Sequence, residues 1–171
     1  MKIKLREMVL FALLGTVMFC AKLLTEAVPN VHFLALLIVV YTVTFRAKAL
    51  LPIYVFVFLS GLFYGFDMWW LPYLYLWAVL WGAVMLLPQN MPPKIATPVY
   101  MAVAAAHGLL YGTLYAPAQA LMYGYSFEQT LAWIAIGLPW DAVHALGNLL
   151  TGLLAVPLIK VMKAAKRQMQ I

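Results

Sequence analysis

The chain has 171 residues, of which 67% are hydrophobic and only 9% charged, with a formal net charge of +6. A soluble domain covers its surface with roughly 25% charged residues, so this composition excludes an ordinary water-soluble fold and points to lipid as the surrounding solvent. Nor does the positive charge imply nucleic acid as a partner: the basic residues sit at the chain ends and between hydrophobic runs, where they would meet anionic lipid head groups.

A helix needs roughly 20 residues to cross about 30 Å of hydrocarbon, with about 17 to 25 tolerated. The residues Met1 to Arg6 followed by an apolar stretch imitate a signal peptide. No small-residue cleavage site follows cleanly, however, and further hydrophobic runs do, so the first run is expected to stay as a helix. In chain order the expected membrane spans are Met8–Leu24, Val31–Phe45, Leu50–Phe66, Leu71–Pro88, Ile95–Gly112 and Pro139–Met162. Turn residues separate them at Pro29-Asn30, Arg46 to Lys48, Gly65 to Asp67 and Pro88 to Pro93. Between the fifth and sixth spans, Ser126 with Gln129 three residues on fits a capping box. It predicts a short helix near the membrane surface over Phe127–Ile136. Gly137-Leu138-Pro139 is then expected to break the chain, and Pro139 to open the last span, where a missing N–H costs nothing. The expectation is a single all-α domain over residues 1–171 with about six spans.

The basic residues orient this arrangement. With both termini cytoplasmic, Lys2, Lys4, Arg6, Arg46, Lys48, Lys94, Lys160, Lys163, Lys166 and Arg167 lie inside, and only Lys22 lies outside. The positive-inside rule favours that orientation over its inverse. Glu26, Asp67 and Glu128 then fall at the outer end.

Several side-chain patterns suggest contacts. The pairs Gly61/Gly65 and Gly108/Gly112 let backbones approach closely in lipid, most simply inside this one chain. The first span carries Ala12, Thr16 and Cys20 at four-residue intervals with Gly15 beside them, a stripe open either to internal packing or to a helix of another protein. The fourth span is crowded with Trp69, Trp70, Tyr73, Tyr75, Trp77 and Trp81. Trp70, Tyr73, Trp77 and Trp81 share one helical face, and a wall of rings can stack on a flat heterocycle; lipid-facing or core packing is the alternative. His107, Tyr111 and Tyr115 repeat the spacing on the fifth span, with Gln119 continuing it. The sixth span carries Asp141, His144, Asn148 and Thr151 as one polar stripe. Ionisable groups at membrane depth face a cavity or a partner, here a ligand or each other.

Enzymatic readings find little support. The chain has no GxxxxGK[ST] phosphate loop, no HExxH, no CxxC and no serine in a nucleophile elbow. Cys20 stands alone, and His32, His107 and His144 fall on different elements without metal-site spacing. No cofactor and no metal are expected.

A chain of this length with six spans, the small-residue stripe on its first helix, and a last span reading Gly137-Leu138-Pro139-Trp140-Asp141-x-x-His144-x-x-x-Asn148 resembles the S components of energy-coupling factor (ECF) transporters. The resemblance covers essentially the whole chain, and its most specific part is the Pro139 to Asn148 pattern. It implies a bacterial plasma-membrane protein that captures one vitamin, vitamin precursor or related micronutrient from outside. It also implies partners, a transmembrane coupling subunit and two cytoplasmic ATPases that supply the energy. In that family the ligand lies near the outer face, under the loop after the first helix and between the last three helices. Carried over, the loop is Glu26 to His32 with Glu26, Asn30 and His32. The walls are Trp70, Tyr73, Trp77, Trp81, His107, Tyr111, Tyr115, Trp140, Asp141, His144 and Asn148. The resemblance places docking of the coupling subunit on Ala12, Gly15 and Thr16, with Thr16 standing where the family's AxxxA motif has its second alanine.

Two other functions fit a small polytopic chain. A membrane scaffold of the rod-shape-determining kind would need no polar cavity, and an autonomous secondary carrier would show two repeated halves, of which no convincing trace is found. Rings together with Glu26 and Asp141 suit a planar, partly cationic heterocycle of the thiamine, pyrimidine or pyridine type.

Overall fold

The computed structural model describes residues 3–27 and 32–169. Eight α-helices account for almost all of them, and no strand occurs among the described residues: α1 (Leu5–Thr25), α2 (Leu34–Phe45), α3 (Leu50–Tyr64), α4 (Tyr73–Met85), α5 (Pro93–Leu109), α6 (Tyr111–Tyr123), α7 (Phe127–Gly152) and α8 (Ala155–Gln168). Asn30 lies outside the described residues. Four helical runs are long and apolar enough to cross a membrane: Leu5–Thr25, Leu34–Tyr64, Met68–Met85 and Pro93–Tyr123. The pair α7 and α8, bent by 54° across a short break, makes a fifth if counted as one span. Large apolar side chains such as Leu5, Leu13, Leu24, Leu62, Leu86 and Leu121 point outward. An apolar exterior of this extent is compatible with a multi-pass membrane protein.

The run Leu34–Tyr64 is not straight. The Tyr41 hydroxyl donates to the Leu14 carbonyl at 3.4 Å, and a Cβ built on Gly15 would lie 2.5 Å from Val55 Cγ1. Leu14 and Gly15 are neighbours, whereas a straight helix would hold positions 41 and 55 about 21 Å apart. The chain therefore reverses at Arg46, whose φ of 55° and ψ of −126° leave the helical region. α2 runs antiparallel to α1, and α3 returns alongside α1.

α2 is the centre of the bundle. Its sequence LALLIVVYTVTF has no polar face, and ten of its twelve residues are buried. A helix that is apolar all round belongs inside, and α2 packs against α1, α4, α5, α7 and α8. Glu7, Arg46, Lys48 and Lys166 gather at one end of the bundle, and Lys160 and Lys163 lie close to the start of α5 at the same end. Lys22, Glu26 and Tyr64 meet at the opposite end.

Three sequence expectations change. The fifth span does not end at Gly112; it passes a break at Leu110 (φ −91°, ψ 1°) and continues to Tyr123. The short helix 127–136 and the last span are one helix. Ser126 and Gln129 form the expected capping box, with Ser126 N–H donating to Gln129 Oε1 at 2.8 Å and the Gln129 N–H donating to Ser126 Oγ at 3.3 Å. From there α7 runs unbroken through Gly137 and Pro139. Proline inside a helix removes one hydrogen bond but is tolerated where neighbouring helices hold the backbone. The break falls instead at Leu153 and Leu154, where α8 bends away. Finally, Gly61 and Gly65 are not a helix-packing pair. Gly61 lies under the Phe66 and Trp70 rings, while Gly65, at φ 91°, forms the turn that ends α3.

Candidate functional site

α5–α6 and α7 form an antiparallel hairpin in which glycines let the backbones touch. A Cβ on Gly108 would lie 2.9 Å from Ala145 N, and one on Gly152 would lie 2.9 Å from Met101 Cα. This close seating carries the polar stripe of α7 against α5 and α6. The Asn148 amide donates to the Ala104 carbonyl at 3.1 Å. The break at Leu110 frees backbone N–H groups at the start of α6, and the Asp141 carboxylate accepts the Gly112 N–H at 3.0 and 3.2 Å. Asp141 thus anchors a helix start, and a negative charge is favourable at that position.

Opposite the stripe, α4 contributes Tyr73 and Trp77. The ring of Trp77 lies 5.4 Å from Tyr73, 5.9 Å from His107, 5.9 Å from Tyr111 and 6.2 Å from His32. His144 completes the cluster, 5.0 Å from Tyr111 and 4.7 Å from His32. His32, Tyr73, Trp77, His107, Tyr111, Asp141, His144 and Asn148 are thereby brought together from the lead-in to α2 and from α4 to α7.

The polar atoms of this cluster are incompletely satisfied. His107 Nε2 stands 3.0 Å from the Leu76 carbonyl; a carbonyl only accepts, so Nε2 carries the proton and Nδ1 is left as an acceptor. That Nδ1 has no partner among the described residues, and neither do His32 Nδ1, Trp77 Nε1, His144 Nε2 and Asn148 Oδ1. Trp77 Nε1 can only donate and Asn148 Oδ1 can only accept. Buried polar groups are nearly always paired, and leaving one unpaired costs about 1–3 kcal/mol. Only Thr42 Oγ1 is in the same condition elsewhere in the described protein.

The other sequence-predicted residues lie apart. Trp81 donates its indole N–H to the Arg46 carbonyl at 3.1 Å, at the basic end. Trp70 turns toward α3 and donates to the Val57 carbonyl at 2.8 Å. Trp140 is 60% exposed on the outside of α7. Glu26 is exposed, accepts from the Tyr64 hydroxyl at 2.9 Å and pairs with Lys22 at 3.7 Å. Tyr115 sits at the margin, donating to the Trp69 carbonyl at 3.2 Å and stacking on Trp133. Sequence reasoning missed Trp133 and also Phe56, whose ring lies 5.9 Å from Trp77. Trp133 fell in the segment read as a surface helix, and Phe56 is one of many apolar residues in its span. Ala12, Thr16 and Cys20 are exposed along α1, whereas Gly15 is buried against Val55 and Pro52 of α3. Among the described residues, no three of His, Cys, Asp and Glu stand close enough to hold a metal ion.

No protein-family model, no curated protein and no solved structure matches the chain.

Proposed function

We propose that this chain is a substrate-capturing membrane subunit, an S component of an ECF-type importer, that takes a small, water-soluble, ring-bearing micronutrient at the end of the bundle where Glu26 and Tyr64 lie. One observation carries the reading. Four buried polar atoms without partners, on His32, Trp77, His107 and His144, belong to rings packed with one another and with Tyr73 and Tyr111, and Asn148 Oδ1, one turn beyond His144 on α7, is a fifth. A flat heterocycle with both N–H donors and carbonyl or ring-nitrogen acceptors would pair these atoms while stacking on the rings. Asp141 is already engaged by Gly112 and Glu26 by Tyr64 and Lys22, so hydrogen bonding and stacking, more than charge, select the ligand.

The chain crosses the bacterial plasma membrane six times, α2 and α3 making separate crossings either side of Arg46, and α7 with α8 the last. The basic end faces the cytoplasm with both termini, as the distribution of Lys and Arg favours. The exposed Ala12–Thr16 face of α1 receives the coupling subunit, and two partner ATPases power uptake. The chain itself performs no chemistry.

Mass spectrometry of small molecules retained by the purified protein tests this reading, followed by thermal unfolding against heterocycles of the thiamine, pyrimidine and pyridine classes. A retained or stabilising ring compound whose effect disappears in Asn148→Ala supports it. Absence of any retained ring compound, with no stabilisation across the panel, would overturn it.

A further inference from the structure

At the basic end, a cavity of about 290 Å³ opens between the start of α1, the reversal at Arg46 and the end of α8, lined by Glu7, Phe11, Phe45, Arg46, Lys48 and Lys166. Its volume is near the lower bound for ligand sites, roughly 300 Å³. Three cations face one carboxylate there, and that carboxylate is committed. Glu7 accepts the Lys4 N–H at 3.0 Å and pairs with Lys48. Arg46 gives a guanidinium N–H to the Met85 carbonyl at 2.8 Å, and Lys166 an ammonium N–H to the Thr44 carbonyl at 3.0 Å. Carbonyl oxygens do not neutralise charge. Among the described residues no carboxylate pairs with Arg46 or Lys166, and both keep further N–H donors, since a guanidinium has five and an ammonium three.

The backbone gives a second reason to look here. Arg46 is the only non-glycine residue with positive φ among the described residues, in a region that favours glycine. Strain retained where glycine would relieve it is found at sites with a task, and here it sets a guanidinium in the wall of the cavity.

We propose that this cavity binds the phosphate of an anionic lipid head group. The phosphate oxygens take a forked pair of N–H bonds from Arg46 and a further one from Lys166. Phe11 and Phe45, edge to face with centroids 5.3 Å apart, form the apolar wall along which the glycerol and upper acyl chain lie. Basic pockets between membrane helices bind head groups in this way. A bound head group ties the α2–α3 reversal to the end of α8. The inference needs the chain to lie in a bilayer but is independent of the micronutrient reading.

The test is native mass spectrometry and thermal unfolding of the full chain, comparing phosphatidylglycerol, phosphatidylcholine and soluble glycerol 3-phosphate. Phosphatidylglycerol is expected to be retained roughly tenfold better than phosphatidylcholine, and Arg46→Gln and Lys166→Gln each to remove most of that preference. Lys94→Gln, exposed near the start of α5, is expected to keep it. If Arg46→Gln does not fold, Lys166→Gln on the last turns of α8 carries the test. Equal retention of the two lipids, or parental retention in the variants that fold, would overturn the site. Stabilisation by glycerol 3-phosphate equal to that by the lipid would reassign it to a soluble anion and overturn the lipid assignment.

Discussion

The imidazole of His32 lies 4.7 Å from that of His144, with the planes at 74°, so the non-helical lead-in to α2 is pinned against the middle of α7. His32 is the one member of the cluster outside a helix. The neighbouring rings already pack at 5.0–6.2 Å, so a ligand needs one wall to part, and His32 is the wall with the least backbone to rearrange. His32→Ala is therefore expected to speed ligand release, measured by stopped-flow tryptophan fluorescence, while His144→Ala weakens equilibrium binding by about 1–3 kcal/mol. An unchanged release rate in His32→Ala would show that His32 is not the wall that parts.

Asp141 and Gly112 form a second pair with a separable effect, on stability. A Cβ at position 112 would lie 2.5 Å from Asp141 Oδ2, so Gly112→Ala overpacks the contact at a cost of about 1–3 kcal/mol. Asp141→Ala strands the buried Gly112 N–H, at a similar cost of about 1–3 kcal/mol. Because both changes break one contact, the double variant is expected to lose less than the sum. Additive losses in denaturant or thermal unfolding would show that the two residues act independently.

The parts of the fold legible in the sequence are those written in local chemistry. The Ser126–Gln129 capping box and the spacing of Asp141, His144 and Asn148 on one helical face needed no tertiary information. Gly137-Leu138-Pro139 misled because glycine and proline read as a stop only when nothing else holds the helix; α7 is held against α5 and α6 on the turns that follow, at Asp141, Ala145 and Gly152. Conversely, the helix bends at Leu153-Leu154, between Gly152 and Pro157, where the apolar run itself continues without interruption. Helical periodicity also gives direction but not depth. It aligned Trp77 with Trp81, but one turn further along α4 the ring meets the Arg46 carbonyl instead of the cluster. The pairing of Asp141 with Gly112 depends on the break at Leu110, which no residue type announces.

For the proposed topology, ten of the eleven basic residues lie on one side of the membrane. In a Cys20→Ser background, cysteines replacing Lys48 or Lys94 are expected to label only from the cytoplasm, and one replacing Asp67 only from outside. Labelling of positions 67 and 94 from the same side would eliminate the six-crossing arrangement.

α1 offers a test of docking in which neighbours behave differently. Ala12 and Thr16 are exposed, whereas Gly15 is seated against Val55 and the Pro52 carbonyl. Ala12→Trp is expected to abolish uptake by the assembled importer while leaving ligand binding to the isolated chain intact. Gly15→Leu should instead lower thermal stability by about 1–3 kcal/mol, because it forces α1 away from α3. Normal uptake by Ala12→Trp would place the coupling subunit elsewhere.

Trp77 separates a binding role from a structural one most cleanly. It is 1% exposed, touches Phe56, Tyr73, His107 and Tyr111, and its indole N–H has no acceptor among the described residues. Trp77→Phe keeps an aromatic ring and removes that donor. In the ligand-free protein, deleting an unpaired buried donor recovers part of its desolvation cost, about 1–3 kcal/mol, against a loss of packed volume of comparable size. The two terms oppose, so apo stability is expected to change by no more than about 1 kcal/mol. The ligand-bound protein has no such compensation: the hydrogen bond is lost together with part of the stacking surface, and affinity should fall by roughly tenfold, about 1.4 kcal/mol. Thermal unfolding of the apo protein and titration of tryptophan fluorescence with the retained ligand measure the two quantities separately. A large apo destabilisation with unchanged affinity would make Trp77 a core residue and leave the proposed site without its central ring.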